Sequence, residues 1–120
     1  MLLCYYRRMR TTILVVAALL ALASTLASAQ EPKLVAKGQS LSVQHKCSMC
    51  HSVGGKGGKI GKALDGVADR YDAAALKRIL TDPLKEFPDA KVKMPKVAWA
   101  AGDIDAVTAY LQTLKASPAK

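Results

Sequence analysis

A chain of 120 residues has room for one domain, and a formal charge of +9 turns that domain toward acidic partners. Nucleic acid is a poor fit, because the basic residues are not interleaved with aromatics and no recognition motif is present. Three cysteines exclude a framework of several disulfides.

The first 29 residues read as an export signal. Arg7, Arg8 and Arg10 form a positive start, residues 13–22 (ILVVAALLAL) an unbroken apolar run, and Ala27-Ser28-Ala29 a small-x-small cleavage site. Met9 is an alternative start, since MRTTILVV is already a complete signal opening, and Arg7-Arg8 alone is weak evidence for twin-arginine export. The rival reading is an uncleaved membrane anchor, which needs the flanking Ala, Ser and Thr residues to reach bilayer-spanning length. Cys4 precedes the apolar run, where a lipid-anchoring cysteine would follow it, so it is read as incidental. The expected organisation is a signal over 1–29 and one domain over 30–120. Loss of the three arginines lowers the formal charge from +9 to +6. The domain's only aromatics are then Tyr71, Phe87, Trp99 and Tyr110. A domain this small and this poor in large side chains needs a disulfide, a metal or a cofactor at its centre.

Gln30 to Lys33 reads as a linker. Leu34, Gly38 and Leu41 recur at spacings of four and three, which predicts a helix running up to Cys47. Ser52 to Lys62 (SVGGKGGKIGK) has five glycines in eleven residues and no periodicity, the signature of a loop. Asp72 is a good N-cap for a helix over Ala73 to Leu80, with Leu76, Ile79 and Leu80 as its apolar stripe. Pro83 ends it, and Pro88 and Pro95 keep LKEFPDAKVKMP extended. In the last helix Gly102 or Asp103 caps the start, Asp103 and Asp105 occupy the positive first turn, and Ile104, Val107, Leu111 and Leu114 form the buried face. No segment alternates with period two for long enough to be a strand.

The chemistry lies in CSMCH, Cys47 to His51. Two thiols three residues apart, followed by an imidazole, can hold a metal ion, form a redox disulfide or bind a haem covalently. A structural zinc site wants four ligands from two directions, and His45, Cys47, Cys50 and His51 all lie within seven residues. A thioredoxin-type pair wants a strand delivering C-x-x-C to a helix N-terminus, and here a helix pattern precedes it. Haem attachment wants two thiols on one side of a single turn, with the next residue able to swing its imidazole under the iron. The i, i+3 spacing supplies this, and the export signal agrees, because covalent haem is attached outside the bacterial cytoplasm.

Over the whole region after the signal the chain resembles the class I c-type cytochromes. The likeness is carried by Lys37-Gly38 with Leu41, by CSMCH, by GKIGKALDGV from Gly58, by Met94-Pro95 and by DAVTAYLQTLK from Asp105. It implies an all-α fold of three to four short helices around one haem c, joined by thioethers to Cys47 and Cys50. His51 is then the proximal ligand of the iron and Met94 the distal one, with His45 as the rival for the distal place. Gly38 and Tyr110 match the family's crossing of first and last helices, and Trp99 a residue packed behind the methionine loop. In one place the chain departs from the family. A proline commonly follows the glycine after the haem motif, and its carbonyl accepts a hydrogen bond from the proximal histidine; here Lys62 follows Gly61.

With both axial places filled, no position is left for oxygen, peroxide or substrate. The resemblance thus implies a monomeric periplasmic carrier of single electrons, and no enzyme. Alternatives are an electron-transfer subunit of a dehydrogenase complex, or a haem enzyme or ligand sensor with a labile sixth ligand. The expected partners are a dehydrogenase donor and an oxidase or peroxidase acceptor. Lys56, Lys59, Lys62, Lys91, Lys93 and Lys96 would steer their acidic docking patches, while a membrane is a partner only if the signal stays uncleaved.

Overall fold

Leucine and alanine dominate the first third of the chain, and strong helix formers make one helix of it: α1 spans Leu2–Gln44. The structure, a computed structural model, describes residues 2–116, with the side chains of residues 2–5, 11, 14 and 16–30 outside that description. The expected cleavage site at Ala27 to Ala29 lies among those undescribed side chains, as does Cys4. The chain divides into two units, Met1–Pro32 and Lys33–Lys120.

In the first unit the Thr12 hydroxyl donates to the Arg8 carbonyl at 2.8 Å, and the Arg10 guanidinium lies over the Tyr6 ring. Tyr6, Met9, Ile13 and Val15 are exposed. Among the described residues, no helix is long and apolar enough to cross a membrane.

The second unit begins inside α1, which corrects the expected linker at Gln30 to Lys33. Gln, Glu and Lys favour helix, and Pro32 alone does not stop it, although an internal proline costs about 3 kcal/mol. The glycine-rich loop closes as a hairpin, with β1 (Ser52–Val53) antiparallel to β2 (Lys56–Gly57) around Gly54 and Gly55. Both turn glycines have positive φ, at 58° and 75°, as a tight hairpin turn demands. Two residues per strand are too few to leave an alternation in the sequence.

Three short helices follow. The single turn α2 (Val67–Arg70) was not expected from the sequence. In α3 (Ala73–Thr81) the Asp72 carboxylate caps the Ala75 amide at 2.7 Å, as expected. Pro83 does end α3, but it also opens α4 (Pro83–Glu86), where a missing N–H and a preset φ suit a first helical position. The stretch expected to be wholly extended therefore starts with a helical turn. The last helix, α5 (Asp103–Gln112), is capped by Gly102.

Leu41, Val67, Leu76, Leu80, Ala106, Val107 and Leu111 form the buried core, where α1, α2, α3 and α5 meet. At Gly38 an added Cβ would lie 1.9 Å from the Ala106 carbonyl oxygen and 2.8 Å from the Tyr110 Cβ. Here α1 crosses α5 in direct backbone contact, as the sequence led us to expect. Lys37 seals the crossing with an ion pair to the buried Asp103 at 2.9 Å. Among the described residues the core contains no fully buried aromatic, and it is thin for a domain that must stand alone.

Candidate functional site

After α1, Lys46 adopts a left-handed conformation (φ 55°, ψ 37°) and turns the chain sharply. Cys47 to Met49 then form one 3₁₀ turn, with the amides of Cys50 and His51 both donating to the Cys47 carbonyl, at 3.2 and 2.9 Å. This places the two thiols on consecutive ends of one turn. Both are free and half-buried.

Burial pushes the Cys47 thiol up; its backbone hydrogen bond opposes the shift and the neighbouring Cys50 adds to it. A redox nucleophile needs the opposite shift, and the turn follows a helix rather than a strand. The zinc arrangement fares no better, since among the described residues no three His, Cys, Asp or Glu side chains come together to hold a metal ion.

His51 is fixed by the loop that follows it. Its Nδ1 lies 2.7 Å from the Lys62 carbonyl oxygen. A carbonyl only accepts, so Nδ1 carries the proton and Nε2 keeps the free lone pair. The Lys62 carbonyl thus makes the contact that the resemblance associates with a proline. Gly61 packs against the same ring, where a Cβ would lie 2.5 Å from Cε1 and 2.6 Å from Nδ1. Main-chain bonds hold the loop to the cysteine turn, from Gly58 to Ser48 at 2.8 Å, from Gly61 to Cys50 at 2.8 Å and from Leu64 to Ser52 at 2.9 Å. An imidazole nitrogen beside two thiols is thereby presented from a rigid frame.

The other residues singled out from the sequence lie in different parts of the second unit. Met94 is half-buried against the core, whereas Met49, between the two cysteines, is exposed. Trp99 is half-buried against the core as expected, its indole N–H donating to the Leu80 carbonyl at 2.9 Å. His45 meets the Trp99 ring edge-on, with centroids 4.7 Å apart. Ile60 and Val92 are 64% and 62% exposed, and Phe87 is also exposed, so loops before and after α3 leave apolar surface uncovered. Two free thiols on one turn, a ligating nitrogen fixed beside them, and uncovered apolar side chains suit a covalently held planar apolar group.

The chain matches the Cytochrome c family over residues 35–115. It belongs to that family. No curated protein matches it. Cytochromes c carry haem c, an iron porphyrin bound covalently, and Cys47 and Cys50 fit the C-x-x-C-H attachment motif. Membership makes this a haem-binding electron-transfer protein with the all-α cytochrome c fold, of a family whose members are usually exported.

Sequence reasoning missed Arg70 and Asp65. Arg70 donates to the carbonyls of Ala63 (2.7 Å) and Asp65 (3.0 Å), and the Asp65 carboxylate accepts from the Gly54 amide (2.9 Å). No sequence signal marks them, because most of their partners are backbone groups that every residue carries.

Proposed function

We propose that this protein is a periplasmic carrier of single electrons, exported by residues 1–29, whose haem iron is held by His51 and Met94. The observation that carries the reading is the His51 ring, anchored through Nδ1 to Lys62 so that Nε2 alone is left to bind a metal. Its second-position bond also makes Nε2 a stronger donor. The haem supplies an iron that alternates between ferrous and ferric states.

Met94 fits the distal role better than the other two candidates. Met49 sits inside the attachment turn and is tied to the proximal side, while the His45 ring is engaged with Trp99. Met94 lies on a segment fastened at two points: Lys93 donates to the Pro88 carbonyl, and Trp99 to the Leu80 carbonyl. A thioether would favour the ferrous state, and an iron held by both His51 and Met94 would have no place for a substrate. Lys56, Lys59, Lys62 and Lys91 are exposed and support docking to an acidic donor or acceptor; Lys96 approaches Asp82 at 3.9 Å and shares its charge locally.

The test is the near-infrared spectrum of the oxidised mature protein. The weak methionine-to-iron band is expected in the wild type and absent in Met94→Leu, which keeps the apolar volume and removes the sulfur. A band that survives in Met94→Leu overturns the assignment.

A further inference from the structure

The Lys62 carbonyl that orients His51 belongs to an exposed residue in a loop, with neither helix nor strand to hold it. Such a residue wanders unless its neighbours are fastened. Main-chain bonds fasten Gly61 to Cys50 and Leu64 to Ser52, and one side chain gathers the carbonyls between and beyond them. The Arg70 guanidinium reaches Ala63 O at 2.7 Å and Asp65 O at 3.0 Å, gathering the carbonyls on either side of Leu64 in one planar fork. Arg70 itself stands on α2, which is pinned to the segment after α5: the Ala68 amide donates to Leu114 O at 3.3 Å, and the Ala116 amide to the Asp69 carboxylate at 2.7 Å. On the opposite side Asp65 accepts from the Gly54 amide, joining the same loop to the hairpin next to His51.

We propose that Arg70 is a positioning residue for the proximal histidine: by clamping Ala63 and Asp65 it fixes the Lys62 carbonyl, and through the His51 Nδ1–H bond it sets how strongly Nε2 donates to the iron. This rests on the reading of His51 as the proximal ligand. Charge is not the operative property. A lysine at position 70 keeps the charge but, as a point donor on a flexible stem, cannot span two carbonyls as the fork does. Loosening the loop weakens the Nδ1–H bond, makes His51 a poorer donor and disfavours the ferric state, so the potential rises. Loss of a positive charge would move the potential the other way, and Arg70→Lys separates the two effects.

The experiment uses the holoprotein labelled with nitrogen-15, wild type and Arg70→Lys, and compares solvent exchange of the His51 ring N–H with that of the Val107 amide in the buried face of α5. The clamp predicts that the ring proton exchanges about tenfold faster in the variant, that the Val107 rate is unchanged, and that the reduction potential rises. An unchanged ring proton, an equal acceleration of both sites, or a potential that stays or falls overturns the proposal. A wild-type spectrum showing His51 unligated would fail the ligand reading first, before any variant is made.

Discussion

Lys46 shows how a site residue escapes sequence reading. It is the only described non-glycine residue at positive φ, and neither Gly nor Asn marks the position. For an L side chain that conformation costs about 1–2 kcal/mol, so Lys46→Gly is expected to gain about 0.5 kcal/mol after the entropy of the unfolded glycine is counted; the urea midpoint of the holoprotein measures it. Thr108 is a second such case. Thr108 is 3% exposed, and its buried hydroxyl has no hydrogen-bond partner. Thr108→Val should stabilise by about 1 kcal/mol, read as a raised thermal midpoint, because a buried unsatisfied hydroxyl is removed at nearly constant volume. By contrast the C-x-x-C-H motif of Cys47, Cys50 and His51 was legible, since the i, i+3 spacing and the adjacent imidazole are properties of sequence itself. The Lys62 carbonyl was legible only through the family resemblance, and Arg70 was not legible at all.

The same distinction governs the elements. Helices α3 and α5 could be read because Asp72 caps one, Gly102 the other, and each has an apolar face. The single-turn helices α2 and α4 and the two-residue strands are shorter than the periods that would reveal them. Gln30 to Lys33, expected as a linker, is helical instead, because Gln, Glu and Lys are helix formers and Pro32 does not break the run. Element packing makes sharper predictions. Gly38→Ala would drive a methyl into the α5 backbone and should cost about 3 kcal/mol, at the upper end of overpacking penalties, measured as a lowered urea midpoint. The Lys37 to Asp103 pair across the same crossing responds to pH. The hydrogen bond from Lys37 comes first among the causes that hold the Asp103 carboxyl below its usual range, with its charge and the Ala100 amide adding, against the opposing effect of burial. A depressed folded value means that the stabilisation is present above the ordinary carboxylate range, about 4, and is lost as pH falls through the folded value. Between pH 5 and 2 the wild type should therefore lose more stability than Asp103→Asn, in parallel urea titrations.

At the scale of the whole molecule, the seven buried hydrophobic residues among the described residues of the second unit, none of them aromatic, are a small core, and apolar side chains such as Ile60 and Val92 remain uncovered. The polypeptide and its haem should therefore fold as one unit. A Cys47→Ser, Cys50→Ser chain, unable to attach haem, is expected to lose its cooperative thermal transition in circular dichroism while the holoprotein keeps it. The central proposal is narrower: an iron held by His51 and Met94 would exchange electrons and bind nothing else. Carbon monoxide added to the ferrous holoprotein at neutral pH tests this most directly. The account predicts an unchanged visible spectrum in the wild type and prompt binding in Met94→Ala, whereas prompt tight binding by the wild type would contradict it.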